Sequence, residues 1–431
     1  MNYVWAVNII FSTLYSLLGI LVSHFILFAI VGIFTKKRFK KAPEQLKYGI
    51  IIPARNEEKV IGALIESIRK SNYPKDKLDL FLVAHNCTDK TAEIGKKLGV
   101  IVYEYNNSSE RTMGYAFKYL FDKIDEDYGI KSYDGFFLFN ADNIVSHDYF
   151  EKMNDAFVSE NRESVVTSFR NSKNFGENAL TAMYGLYFMY GCRLEACGRA
   201  AMCVSTRVQG TGYLISSDIV KNGWKYVTLT EDWEFTADQV LLGNKITYCD
   251  DAVFYDEQPT TFNIMWRQRV RWARGHLLVF ISRYFDILRF LFKKIKGVTL
   301  LQKLSVYDLS VNVLPIGIIG AALALFHFVF LLCSVFFGDY SIRTVLQDYI
   351  NAYAISIGYS YATVALSSLI ILFIEKKRIP RINPFILIIA ILLWPLFILL
   401  AVPCDIAALF GKGKTWQPIP HKSKIKIDDI D

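Results

Sequence analysis

The hydrophobic pattern divides the chain into two kinds of territory. Four stretches lack Asp, Glu, Lys and Arg: residues 1–35, 309–338, 349–374 and 382–404. Each supplies the roughly 20 residues needed to cross ~30 Å of hydrocarbon. Residues 36–300 hold most of the charge and alternate short apolar runs with helical periodicity. Residues 48–53 read as a strand, and Val60, Ile61, Leu64, Ile65 and Ile68 share one face of a helix over 56–70. A second strand (78–84) precedes a helix through Ala92, Ile94 and Leu98, with Thr88 or Asp89 as its cap. A third strand (100–105), a third helix (112–124) and a fourth strand (135–140) ending at Ala141-Asp142-Asn143 follow. This alternation predicts an α/β fold around a doubly wound parallel sheet. Ligands bind such sheets at the carboxyl ends of the strands, where 53–58, 85–89 and 140–143 sit.

Residues 150–275 are less regular. A helix over 230–240 opens on Glu231 and Asp232, and 275–296 interleaves Leu277, Phe280, Ile281, Phe285 and Phe292 with Arg283, Arg289, Lys293 and Lys294. That pattern suits a helix lying in the membrane interface, with a buried core helix as the alternative. The expected organisation is a transmembrane anchor (1–35), a globular domain (36–274), an interfacial helix (275–300), about three spans (301–411) and a basic tail (412–431). Lys36, Lys37, Arg38, Lys40 and Lys41 follow the first stretch, and the positive-inside rule puts them and the globular domain in the cytosol. Three further spans would leave the tail outside, whereas Lys412, Lys414, Lys422, Lys424 and Lys426 argue for inside. Pro395 and Pro403 interrupt the last stretch, which reads as a broken or re-entrant element.

Composition sharpens this picture modestly. The 431 residues are 52% hydrophobic, with a net charge of +8. The basic residues gather near membrane ends, which fits anionic lipid headgroups as partners rather than nucleic acid. No cleavable leader pattern opens the chain, and a retained anchor in a bacterial plasma membrane is expected. The seven cysteines show no zinc-ligand spacing and read as reduced, buried thiols.

Candidate chemistry lies at the polar ends of apolar segments. Asp142 can hold a divalent cation against a diphosphate or merely cap a helix. Glu231 and Asp232 sit where a helix dipole would keep both ionised, and either could serve as general base toward a sugar hydroxyl. Gln268, Arg271 and Trp272 share a helix face; Arg forks onto phosphate and Trp stacks on a pyranose ring, or the basic run simply meets lipid phosphates. Gly210-Thr211-Gly212 permits close backbone approach.

Taken in order, these motifs resemble the processive family 2 glycosyltransferases, the membrane-embedded class of cellulose, hyaluronan and poly-N-acetylglucosamine synthases. The resemblance covers about residues 47–276. Pro53, Arg55, Asn56 and Glu57 look like the first nucleotide-binding loop, and Asn86-Cys87-Thr88-Asp89 resembles the second. Asn140-Ala141-Asp142 takes the place of the D-x-D metal motif. Gln209-Gly210-Thr211-Gly212 resembles the acceptor loop, Thr230-Glu231-Asp232 the T-E-D motif and Gln268-x-x-Arg271-Trp272 the Q-x-x-R-W motif. Three positions depart from the family. Asn140 replaces an acid, His85 stands where an Asp reads uracil, and Met113 replaces a basic residue for which Arg111 can compensate.

The resemblance implies a GT-A domain, a nucleoside diphosphate sugar (UDP-sugar) as donor, Mg²⁺ or Mn²⁺ on Asp142, and Asp232 as base. It implies diphosphate and acceptor contacts from Gln268, Arg271 and Trp272. The acceptor would be a growing polysaccharide, the reading Q-x-x-R-W favours, or a lipid in a single transfer. An inactive membrane scaffold partnering another synthase is a third reading.

Overall fold

In the computed structural model the described residues are 3–293, 296–336, 340–411, 421, 423 and 425–430. Lys294, Lys412, Lys414, Lys422 and Lys424 therefore lie outside the described residues.

The chain opens with α1 (Tyr3–Val22) and α2 (His24–Phe34), separated at Ser23. The globular part then supplies β1 (Tyr48–Ala54), α3 (Ile61–Lys70), β2 (Leu78–His85), α4 (Thr91–Lys97), β3 (Ile101–Tyr105), α5 (Met113–Tyr128) and β4 (Gly135–Leu138). After it come β5 (Ile144–Val145), α6 (Tyr149–Ser159), β6 (Val165–Ser172), α7 (Ala179–Tyr190), a π-helical turn at Gly191–Ala196 and α8 (Cys197–Ala201). The domain continues with β7 (Tyr213–Ser216), α9 (Ser217–Val220), α10 (Glu231–Leu242), β8 (Ile246–Asp256) and α11 (Phe262–Phe292). The rest is helical: α12 (Leu300–Val313), α13 (Ile316–Phe336), α14 (Ile342–Ile374), α15 (Pro384–Leu399) and α16 (Ala401–Phe410).

The strands form one sheet in the order β3-β2-β1-β4-β7-β6-β8-β5. Only β3-β2-β1-β4 is the parallel sheet that the alternating pattern predicts. β4 and β7 pair antiparallel, as do β7 and β6, so the sheet is mixed rather than doubly wound. The reason lies just before β7: the backbone N–H of Gly212 donates to the Leu138 carbonyl at 2.9 Å. β7 thus starts at the carboxyl end of β4 and must run back. β1 is buried along nearly its whole length and packs between two apolar layers, one built on α3 and α6, the other on α5 and α10.

Among the described residues four segments are long and apolar enough to cross a membrane: Tyr3–Phe34, Ile316–Phe336, Ile342–Ile374 and Pro384–Phe410. The last breaks at Leu400, and both of its ends meet the globular domain. A Cβ on Gly176 would lie 2.8 Å from Ile382, and one on Gly411 would lie 2.7 Å from Arg274. The expected boundary at 274/275 falls inside α11, a single helix of 31 residues. Its Val279 and Ile287 are buried, whereas Ile281, Phe285 and Phe292 are exposed apolar residues. One face is therefore core, as the buried-helix alternative has it, and the other is apolar and exposed.

The first span is welded to the domain by glycines. A Cβ on Gly32 would come 2.3 Å from the Arg193 carbonyl oxygen, and one on Gly198 would come 2.0 Å from that of Phe28. Gly198→Val should therefore displace α2, costing about 1–3 kcal/mol or more. A thermal scan of the purified protein should show a lowered midpoint, with Gly62→Ala, which faces open space, as the neutral comparison. An unchanged midpoint would mean that α2 does not dock there.

Candidate active site

Three loops leave the carboxyl ends of adjacent strands and lock onto one another. Asn56 and Asn86 both adopt a left-handed backbone, φ 59° and 52°. Asn56 Oδ1 accepts from the Thr88 N–H at 2.7 Å, and the Glu57 N–H donates to Thr91 Oγ1 at 2.8 Å. Asp89 accepts from the Glu58 N–H at 3.0 Å and from Thr91 Oγ1 at 2.6 Å, so it ties the loops together beside the start of α4. Pro53 is the penultimate residue of β1 and Arg55 follows the strand. Arg55 Nη1 donates to the Arg111 carbonyl at 3.5 Å. Burial and then the Arg111 charge lower the Arg55 pKa, which marks two cations held close together. His85 is buried, stacks on Tyr105 with 5.3 Å between ring centres, and bonds the Glu110 carbonyl through Nε2 at 2.7 Å.

Glu231 and Asp232 open α10 as expected, but not in the expected state. Burial raises both pKa values, Glu231 the further of the two because Asp232 repels it. Desolvation outweighs the helix dipole here. Arg271 is the cation that lowers both. It reaches them from α11, where its Nη1 donates to the Leu229 carbonyl at 3.3 Å. A Cβ on Gly275 would come 2.2 Å from Thr230, so the two helices touch at a glycine.

The Gly210–Gly212 loop lies between Asp232 and the loop after β4. A Cβ on Gly210 (φ 80°) would come 3.6 Å from Asp232 Oδ2; one on Gly212 (φ 67°) would enter the Phe254 ring. Thr211 Oγ1 accepts from the Asn140 N–H at 2.9 Å and donates to Asn143 Oδ1. Gln268 Oε1 accepts from the Tyr184 hydroxyl at 2.8 Å. Trp272, on the same helix face, meets Tyr184 and Phe188 edge to face at 6.4 Å. The structure thus brings Gly210, Thr211, Gly212, Arg271, Glu231 and Asp232 together and sets Gln268 and Trp272 in an adjoining aromatic wall built on α7.

A family model described as "Glycosyltransferase like family 2" matches residues 43–275, more than half of the chain. The chain belongs to this family. It is 27% identical to a probable glycosyltransferase of Bacillus subtilis over 59% of this chain and 61% of that one. It is 24% identical to a beta-monoglucosyldiacylglycerol synthase of Nostoc over 62% and 56%. It is 22% identical to a poly-beta-1,6-N-acetyl-D-glucosamine synthase of Staphylococcus epidermidis over 74% and 79%. The chain therefore spans less than two thirds of the length of the first two relatives. A mannosyltransferase of Pyrobaculum calidifontis, solved with GDP-mannose and Mn²⁺, shares the fold with a TM-score of 0.58 at 12% identity, covering 87% of this chain and 98% of that one. The family 2 domain of this chain has the GT-A-like α/β fold and is joined to membrane-type helices.

Glycosyltransferases of this fold commonly use a divalent cation, and the residues here fit one only in part. Among the described residues no three Asp, Glu, His or Cys side chains form a ligand cluster. Asp142 stands alone, its Oδ2 accepting from the Glu257 N–H at 3.0 Å and its carbonyl from Lys173 Nζ at 2.8 Å. One carboxylate, completed by phosphate oxygens and water, is a set that suits Mg²⁺. A positive group also stands at this spot. His421 Nδ1 lies 3.0 Å from Glu57 and its Nε2 lies 3.9 Å from Asp142 Oδ2. Burial lowers the His421 pKa, but Asp142 and Glu57 raise it to about 9. The location favours a cation.

Sequence reading missed Lys173, whose side chain is fully buried, and Asp256, which pairs with Arg170. It also missed Tyr184 and His421. Asp256 carried the same signal as Asp142, an acid closing an apolar strand; the others had none. The cysteines are free as expected, but only Cys192, Cys197, Cys249 and Cys404 are buried; Cys87 and Cys333 are half-buried and Cys203 is exposed.

If Asp232 is the base, transfer requires its carboxylate, whose pKa is raised to about 6. Activity should be lost as pH falls through about 6 and should level off above it. An initial-rate profile between pH 5 and 8 checks this; an acidic limb near the ordinary Asp value of about 4 would contradict it.

Proposed function

We propose that this chain is a membrane-bound inverting glycosyltransferase that moves a sugar from a UDP-sugar to a growing polysaccharide. The observation carrying this is the juxtaposition of Asp232, Arg271 and the Gly210 turn at the carboxyl edge of the sheet. Asp232 removes the proton of the acceptor hydroxyl as its oxygen attacks the anomeric carbon from the face opposite the diphosphate. Glu231, held by burial nearer its protonated form, keeps a second full charge away from the base. Arg271 faces both acids and supplies the positive charge on the α11 side. Arg55 and Arg111, with Asn56 and Asn86 setting the loop geometry, receive the nucleotide. A divalent cation bound by Asp142 and the diphosphate would neutralise charge on the leaving group.

His85 supports uracil as the base. A carbonyl cannot donate, so Nε2 carries the hydrogen shared with Glu110, and burial keeps the ring neutral. Nδ1 is then a lone-pair acceptor, able to receive the ring N–H of uracil as a carboxylate would. Gln268, Tyr184 and Trp272 line the acceptor side, where a pyranose can stack.

A second reading is single transfer to a lipid. It draws on the packing of α7, which carries Tyr184 and Phe188, against the apolar helices α14 and α15. The positive-inside rule and the basic residues after α2 and α14 place the domain in the cytosol, with bilayer lipids as neighbours.

Labelled UDP-sugars, offered to purified membranes with Mn²⁺, should enter product with wild type and not with Asp232→Asn, a loss of about 10²–10⁴-fold. High polymer supports the first acceptor and one discrete glycolipid the second; a silent wild type across UDP- and GDP-sugars sinks both. His85→Leu should weaken UDP binding by roughly three- to tenfold in calorimetry, the worth of one hydrogen bond. Unchanged affinity would remove His85 from the base pocket.

A further inference from the structure

Arg170 belongs to none of the motifs above, yet it touches several parts of the site. Its Nε donates to Asp256 Oδ2 at 2.8 Å and its Nη2 donates to the same oxygen. Its Nη1 donates to the Gln209 carbonyl at 3.0 Å. The guanidinium carbon lies 3.7 Å from the centre of the Phe188 ring, and Phe188 in turn meets Trp272. Gln209 leads directly into Gly210, the residue against Asp232. One planar cation therefore joins the end of β8, the glycine loop and the aromatic wall.

We propose that Arg170, anchored by Asp256, is a positioning residue for glycosyl transfer: it holds the Gln209–Gly212 loop and the Phe188–Trp272 wall in the arrangement that presents the acceptor hydroxyl to Asp232. This rests on the glycosyl-transfer reading above. The guanidinium suits the role because three separate N–H groups and a flat face are engaged at once. A lysine ammonium offers a point charge and no face for Phe188. Charge also matters. Asp232 is faced by Glu231 from its own helix, by Arg271 from α11, by Arg170 from β6 and by Tyr213 from β7, while Glu234 faces Glu231. Removing Arg170 leaves Arg271 facing two acids and, among the described residues, leaves Asp256 without a cation, held only by the Gln258 amide at 2.6 Å.

The test uses the full-length protein in detergent with labelled UDP-glucose and UDP-N-acetylglucosamine, Mn²⁺, and diacylglycerol or a chito-oligosaccharide as acceptor. Arg170→Lys and Arg170→Ala are compared with wild type for kcat, acceptor KM, UDP affinity, pH profile and thermal midpoint. A positioning role predicts a fall in transfer on the order of 10²-fold, the scale of an ångström of misplacement. It also predicts a raised acceptor KM, retained UDP affinity, an acidic limb moved to higher pH and partial rescue of Arg170→Ala by added guanidinium. Wild-type kcat with an unmoved limb would overturn the proposal. So would losses in transfer and UDP affinity that merely track a fallen thermal midpoint, without guanidinium rescue. A wild type silent with every donor and acceptor overturns the transfer reading and this proposal with it.

Discussion

Two adjacent carboxylates, buried at the start of one helix and faced by one arginine from another, set the terms for the rest of this molecule. Burying Glu231 and Asp232 is unfavourable for their charged forms, and Arg271 offsets it from α11. That requires α10 and α11 to touch, which Gly275 against Thr230 permits. It also fixes where α11 can go next: the same helix continues past the site with Phe285 and Phe292 exposed. The arginine that faces the two acids and an exposed apolar face thus belong to one 31-residue helix.

The same logic of paired charges runs across the site. Asp256 has Arg170, Glu57 has His421, and Lys173 lies against the Asp142 carbonyl and 3.7 Å from Glu257. Buried charges are tolerable when they are paired and hydrogen-bonded. Replacing an acid by Asn140 in such a cluster removes one negative charge, and a single carboxylate beside phosphate oxygens remains a workable cation seat.

The elements legible in the sequence were those whose signal is local. The runs at β1, β2 and β4 are apolar because both faces of the central strands are covered, and their polar ends mark the ligand edge. The helix positions of Gln268, Arg271 and Trp272 follow from spacing alone. What stayed hidden depends on partners far away in the chain. Arg170 reads as one polar residue in a strand until the sheet register sets it opposite Phe254, two residues from Asp256. β7 lies in the stretch whose pattern is irregular, and its antiparallel run follows only from its start at the end of β4. α7 and its π turn are apolar on several sides because membrane helices cover them, a context that periodicity does not carry. His421 lies 364 residues from its partner Glu57, beyond any local pattern.

The glycine contacts of α2 have a mechanical meaning. Backbone touches backbone at Gly32 and Gly198, with no side chain to act as a cushion. The helix they grip is continuous through the π turn with α7, which carries Tyr184 and Phe188. α1 is held in its turn by α13 and α14: Asn8 Oδ1 lies 3.0 Å from His327 Nε2, and the Tyr15 and Tyr353 hydroxyls share a bond at 2.9 Å. A displacement of α2 would therefore reach Tyr184 and Phe188 along one unbroken helix rather than through yielding side chains.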